Sequence, residues 1–269
     1  MIDFDKKFQN YFEKWVQDNA GKYTYDEMED KIPEIYDEWL NAPDGELNGK
    51  SVSDYVNAMT ADELISRFVE SYDEGMDPGS VILDRIEEVP ECAESLKNIL
   101  DSDKSEVVKI SAANLLHEMN KSDMAIKTFI SWLFSFDTSD DLKDVAVEIL
   151  TEYANEVKDD VLSNIDEVTD LNTKTLAAEI LVNADKDERT YELLCELFES
   201  KSNVALHSGY LAKYGDERAA AMLYKALDDC NYLEFTEIRN AIEILGGVVD
   251  DDFRDFSEDE YYKAIKNLK

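Results

Sequence analysis

No glycine lies between Gly79 and Gly209, and no proline follows Pro90, in a chain of 269 residues. A β-rich fold needs Gly, Pro, Asn and Asp turn chemistry at short intervals, whereas helices need breakers only at their ends. The chain is therefore expected to be all-α. Within and beyond the breaker-free stretch one helix pattern recurs: two small or β-branched residues, then a leucine one turn later. It reads Ala112-Ala113-Asn114-Leu115-Leu116, then Val145-Ala146-Val147-Glu148-Ile149-Leu150, then Ala177-Ala178-Glu179-Ile180-Leu181. A weaker copy is Ala205-Leu206-His207-Ser208-Gly209-Tyr210-Leu211, and the last is Ala241-Ile242-Glu243-Ile244-Leu245. The closing leucines stand 34, 31, 30 and 34 residues apart.

Shorter amphipathic segments lie between these helices, at 96–100, 126–134, 157–165, 191–198 and 219–227. Each repeat is thus two antiparallel helices joined by a polar turn. Such a pair buries its apolar face only by stacking on its neighbours. The alanines let the second helix of one pair approach the next closely. Hairpins are expected over 60–90, 91–121, 122–155, 156–185, 186–214 and 215–247, with a last helix over 257–267. Boundary signals agree. Thr60 with Glu63, and Ser257 with Glu260, read as capping boxes. Asp77-Pro78 puts a cap before a proline at the first helical position, and Gly215 and Gly246-Gly247 fall where helices should stop.

Residues 1–59 form a separate, aromatic-rich helical region. Phe4, Phe8, Phe12 and Trp15 line one face of a first helix. Thr24 with Glu27 opens a second, which places Met28, Ile32, Ile35 and Trp39 on one side; Pro33 kinks it or marks a later start. Turns follow at Pro43-Asp44-Gly45 and Asn48-Gly49, then a short helix from Ser51 to Met59. Twelve of the 28 aromatic residues fall in residues 1–72, which suits a small aromatic core capping the array at 60–269.

The formal net charge is −36, from 63 acids against 27 lysines and arginines, and it is spread along the chain. Binding to nucleic-acid phosphates or to an anionic membrane surface draws on basic patches, so neither partner is expected. A protein partner is, and a basic one suits the charge. Residues 1–5 show no basic start leading into an apolar run, and there is no 18-residue apolar stretch. A cytoplasmic protein is expected.

The stretch Tyr214-Gly215-Asp216-Glu217-Arg218-Ala219, followed by Leu223, Leu227 and the helix from Ile238 to Gly246, resembles HEAT-like repeats of the bacterial, armadillo-type kind. In that family a Gly-Asp turn opens the first helix and an alanine–leucine helix ends in Gly. The resemblance is strongest over 204–247. It is looser over 91–185, where Lys121-Ser122-Asp123 replaces the Gly-Asp turn, as Asp185-Lys186-Asp187 does before the next hairpin. Residues 1–58 lie outside it. The resemblance implies a right-handed α-α superhelix with the second helices on its concave side, and for most members a protein partner. A minority are enzymes, chromophore lyases or DNA glycosylases; a glycosylase would need the basic groove that this chain lacks.

Chemistry is thinly represented. His117-Glu118-Met119-Asn120-Lys121 lacks the second histidine of a zinc H-E-x-x-H helix. A calcium loop from Asp137 fails at Leu142, where glycine is needed. Cys92, Cys195 and Cys230 form no C-x-x-C pair and read as buried reduced thiols. The Asp250-Asp251-Asp252 run reads as a solvated turn. No catalytic residue, metal site or cofactor is expected. The favoured role is a non-catalytic scaffold that binds its partner through the concave second helices. Candidate partner-binding residues are Lys109, Asn114, His117, Lys174, Glu179, His207, Arg239 and Glu243. An enzyme or lyase using the groove for a small molecule is the alternative, and an acidic nucleic-acid mimic a second one.

Overall fold

The computed structural model describes residues 2–250 and 253–267. Asp251 and Asp252 of the acidic run lie outside the described residues. Among those residues every regular element is helical, with one isolated antiparallel bridge, Pro43 to Ser51. The chain divides into two compact units, 1–125 and 126–269.

The first unit opens with α1 (Phe4–Asp18), α2 (Tyr25–Glu29), α3 (Ile32–Asn41) and α4 (Val52–Asn57). The helix expected from Thr24 to Trp39 is two helices. The Thr24–Glu27 capping box forms, and Pro33 sits in the first turn of α3, where its missing N–H has no partner to lose. The aromatic face of α1 meets α3: Phe8 lies 4.9 Å from Tyr36, edge to face, and 5.3 Å from Trp39. Phe4 is buried under the Arg67 guanidinium. Two hairpins follow, α5 (Ala61–Asp73) with α6 (Ser80–Glu88) and α7 (Cys92–Leu100) with α8 (Glu106–Glu118). The Thr60–Glu63 box caps α5 as expected. The Asp77-Pro78 cap does not form. Gly79 takes a positive φ of 80° instead, α6 begins at Ser80, and the carboxylate of Asp5 accepts from the Ser80 N–H.

Helix α8 ends without glycine. Asn120 adopts the left-handed conformation (φ 55°), and the next N–H, from Lys121, bonds to the Leu116 carbonyl. Asparagine tolerates that region better than other L residues, so the breaker-free stretch still closes its helix.

The second unit contains α9 (Ile126–Phe134), α10 (Asp140–Glu152), α11 (Ala154–Ile165), α12 (Leu171–Leu181), α13 (Glu188–Glu199), α14 (Val204–Tyr214), α15 (Ala220–Ala226), α16 (Tyr232–Ile244) and α17 (Glu260–Asn267). Consecutive helices pair as hairpins: α9 with α10, α11 with α12, α13 with α14, α15 with α16. Second helices are also neighbours, α10 of α12 and α14 of α16. The leucines that close the repeat pattern are buried at Leu150, Leu181 and Leu211; Leu245 caps α16 and is half-buried. In α10, α12 and α16 the residue four before that leucine is a buried alanine: Ala146, Ala177 and Ala241.

Successive hairpins are tied by a repeated polar device. Asp187-Glu188-Arg189 and Asp216-Glu217-Arg218 start α13 and the turn before α15. In each, the aspartate caps the helical turn and pairs with its own arginine. Each arginine also reaches back one hairpin, Arg189 to Asp159 at 3.0 Å and Arg218 to both oxygens of Glu188 at 2.9 Å. The Tyr214 hydroxyl bridges the Asp187 N–H and carbonyl, and the Lys186 ammonium donates to the Gly215 carbonyl.

At the C-terminal end the expected Ser257–Glu260 box is absent. Ser257 bonds to Asp255, and Asp259 accepts from the N–H groups of Tyr262 and Tyr232, so it caps α17 and meets the start of α16 together. An unforeseen capping box, Asn231 with Glu234, starts α16.

Candidate functional site

The second helices of the second unit present one position at a constant register to solvent. Two residues before the closing leucine stand Glu148, Glu179, Gly209 and Glu243, and all four are exposed. Between α10 and α12, Glu148 and Glu179 border a groove of about 430 Å³, lined also by Asp144, Val147, Thr151 and Leu176. Three carboxylates and no cation line it, over a floor that includes the buried Val147.

From α12 to α14 the row is linked by two side-chain bridges. Thr175 Oγ1 lies 3.2 Å from His207 Nε2, and the Tyr210 hydroxyl donates to Glu179 Oε2 at 3.2 Å. Both bridges advance along the two helices in the same direction, so α12 and α14 run parallel. Burial, with Glu179 beside it, pushes the Tyr210 phenol well above its ordinary pKa, so it stays a donor at any physiological pH. Burial lowers the pKa of His207, with a smaller opposing effect from the Leu197 carbonyl.

The five candidate residues in this unit divide. Glu179, Arg239 and Glu243 lie on the second-helix face, and Arg239 pairs with Glu243 at 2.8 Å. Lys174 turns away from it: its ammonium meets Glu196 of α13 at 2.7 Å, between the two helices. His207 is 1% exposed and is not a surface residue. It occupies the seat four before Leu211 where the other second helices hold alanine, so it packs inside the seam. In the first unit, Asn114 is exposed on α8, while Lys109 and His117 are half-buried. Asp144, Glu148 and Thr175 belong to the same face, with the buried Tyr210 beneath it, and none of the four is among the sequence candidates. Counting register back from each leucine finds Glu148; only the packed structure reveals Tyr210 as the partner of Glu179.

Two further concavities lie in this unit. Beside α16 a cleft of about 780 Å³ is bordered by Tyr232, Phe235, Arg239, Glu243, Arg254 and Tyr262 among others. Its cations are engaged: Arg254 donates to the carbonyls of Leu227, Asp228 and Cys230 and covers the Phe256 ring. Between the third and fourth hairpins a slot of about 480 Å³ has an apolar floor of Phe198, Val204, Met222, Ala226, Cys230 and Ile238.

Burial pushes the Cys92 thiol up to about 11 and raises those of Cys195 and Cys230, which disfavours the nucleophilic thiolate. Cys92 and Cys230 are buried as expected, but Cys195 is half-exposed on α13. Among the described residues no group of three or more His, Cys, Asp or Glu side chains is placed to hold a metal ion, and no helix is long and apolar enough to cross a membrane. No family model matches the chain, and neither the curated proteins nor the solved structures contain a match.

Proposed function

We propose that this protein is a HEAT-like, right-handed helical-repeat scaffold that works in the cytoplasm and binds a protein partner through the second-helix face of its 126–269 unit. The observation that carries the reading is the row Glu148, Glu179 and Glu243 at one register, with an acidic, cation-free groove between α10 and α12. Such a row suits a partner that brings lysine or arginine side chains, since charge complementarity sets encounter rate and register more than raw affinity. Cys92, Cys230 and His207 are buried in the core and do not line the groove.

Photocrosslinking in the cell that makes the protein tests this. A photoreactive residue at Asp144, Glu179 or Glu243 should yield the same discrete protein adduct, whereas one at Asp160, on the outer side of α11, should not. Adducts from Asp160 alone, or none from the three face positions, would sink the proposal.

A further inference from the structure

The turns that join the two helices of each hairpin in the second unit differ from those between hairpins. The turns between hairpins and the helix starts that follow them carry the paired ladder of Asp187, Glu188, Arg189, Asp216 and Arg218, which reaches back to Asp159 of α11. The turns within hairpins, taken with the helix ends beside them, cover 135–141, 166–170, 199–203 and 227–231; they hold nine carboxylates, six of them in the turns proper, against one lysine, Lys201. That lysine pairs with Asp229 at 3.5 Å. Apolar side chains stand exposed beside these carboxylates. Phe136 is 96% exposed, and Leu171, Leu206 and Leu233, all in the first turns of second helices, are 36–41% exposed.

The apolar slot opens on this same edge. It is lined by Val204 at the start of α14 and by Cys230 and Glu234 at the start of α16, so both helices begin at one end of the unit. Glu199, Asp229 and Glu234 stand on its border with Lys201 and Lys225. An edge that combines surplus carboxylates with exposed leucines and an apolar recess is complementary to one kind of ligand. A second copy of this chain does not fit, because at a net charge of −36 it brings the same sign.

We infer that the hairpin-turn edge of the 126–269 unit is a docking site for a cationic amphipathic segment of a partner protein, which seats one bulky apolar side chain in the slot between the third and fourth hairpins. Its lysines or arginines lie against Asp228, Asp229 and Glu199, and its apolar side meets Leu206 and Leu233. Neighbouring helices pack about 8–10 Å apart, close to the ~10.5 Å advance of seven helical residues, so one apolar stripe can touch successive second helices. The inference rests on the partner-binding role proposed above but places the contact on a different surface, so each can fail alone.

The test is fluorescence polarisation on the full chain with two labelled probes of about 18 residues. One is a lysine–leucine peptide with an amphipathic helical pattern; the other is its scrambled isomer, with the same charge and no apolar face. At about 150 mM salt, where distant charges are screened, the amphipathic peptide should bind about tenfold more tightly, the worth of one buried leucine-sized side chain. Ala226→Trp, which fills the slot, should abolish that preference and leave the scrambled peptide unchanged. The exposed pair Leu206→Glu with Leu233→Glu should also remove it, and this holds the test open if Ala226→Trp fails to fold. Asp229→Lys with Glu199→Lys should weaken both peptides. Equal affinity of the two peptides, or a preference that survives both slot-filling and leucine replacement, would overturn the inference. So would loss of the preference in Glu148→Lys with Glu179→Lys, an outcome that leaves the second-helix reading standing.

Discussion

His207 sits where the structure makes the sign of a pH effect unambiguous. It is 1% exposed, its Nε2 faces Thr175 Oγ1 on α12, and the Tyr210 ring lies 6.2 Å away on its own helix. The neighbouring carboxylate, Glu179, is bonded to the Tyr210 hydroxyl. Burial depresses the imidazole pKa in the folded state. Above the ordinary value of about 6.5, folded and unfolded chains are both neutral at this residue and it contributes no slope. Below it the unfolded chain binds a proton that the folded chain refuses, so stability falls as pH falls. For an imidazole that stays neutral throughout, the loss between about pH 7 and pH 5.5 is ~1.2 kcal/mol, or roughly 2–5 °C in melting temperature. Thermal melts of the wild type and of His207→Gln across that range read the effect by difference. Gln keeps a donor and an acceptor near Thr175 and does not titrate, and the carboxylates and His117 are common to both proteins. At the lower pH the wild type should lose stability relative to the variant, by no more than that limiting increment. Parallel curves for the two proteins would show that His207 takes its proton in place, and the burial argument would be wrong.

The seam gives a second prediction. Leu181 and Ala178 are both fully buried; Leu181→Ala should cost ~2–5 kcal/mol and Ala178→Leu ~1–3 kcal/mol in denaturant unfolding, and a neutral Ala178→Leu would mean the helices do not meet there. Cys92, its thiol raised to about 11 by burial, should stay unmodified by a thiol reagent near pH 8 until the chain unfolds; modification at native rates typical of an exposed thiol would contradict its placement. The surplus charge of −36 should lower the melting temperature at about 10 mM salt relative to about 150 mM, as the Debye length shortens from roughly 30 to 8 Å; equal melting temperatures would mean that pairs such as Arg218 with Glu188 compensate the acids fully.

The helical class and the hairpin boundaries were legible because they rest on local rules. The Thr24 and Thr60 capping boxes and the stop at Gly215 each act within a few residues, and each appears where the pattern puts it. The errors fall where a distant residue takes over a local task. Asp5 caps the start of α6 from 75 residues away, which removes Pro78 from the helix start, and Asp259 replaces Ser257 because it also serves the start of α16. The candidate residues are polar positions on second helices, and polarity alone does not say which side of the helix they occupy. Lys174 and Glu179 are five residues apart, well over a quarter turn around the helix, and face different neighbours.

Register does carry that information. Four residues before each closing leucine the chain reads Ala112, Ala146, Ala177, His207 and Ala241. An imidazole in an alanine seat must be buried, and buried polar atoms need partners. The α12 helix supplies one: six residues before its leucine it carries Thr175, where the other second helices have Ile110, Asp144, Ala205 and Arg239. The hydroxyl and the imidazole are therefore a matched exception in one seam. Thr175→Val should then destabilise the wild type more than it destabilises His207→Ala, because only in the first case does it leave a buried ring nitrogen without its partner. Additive effects in that double-mutant cycle would mean the two side chains are neighbours without being coupled.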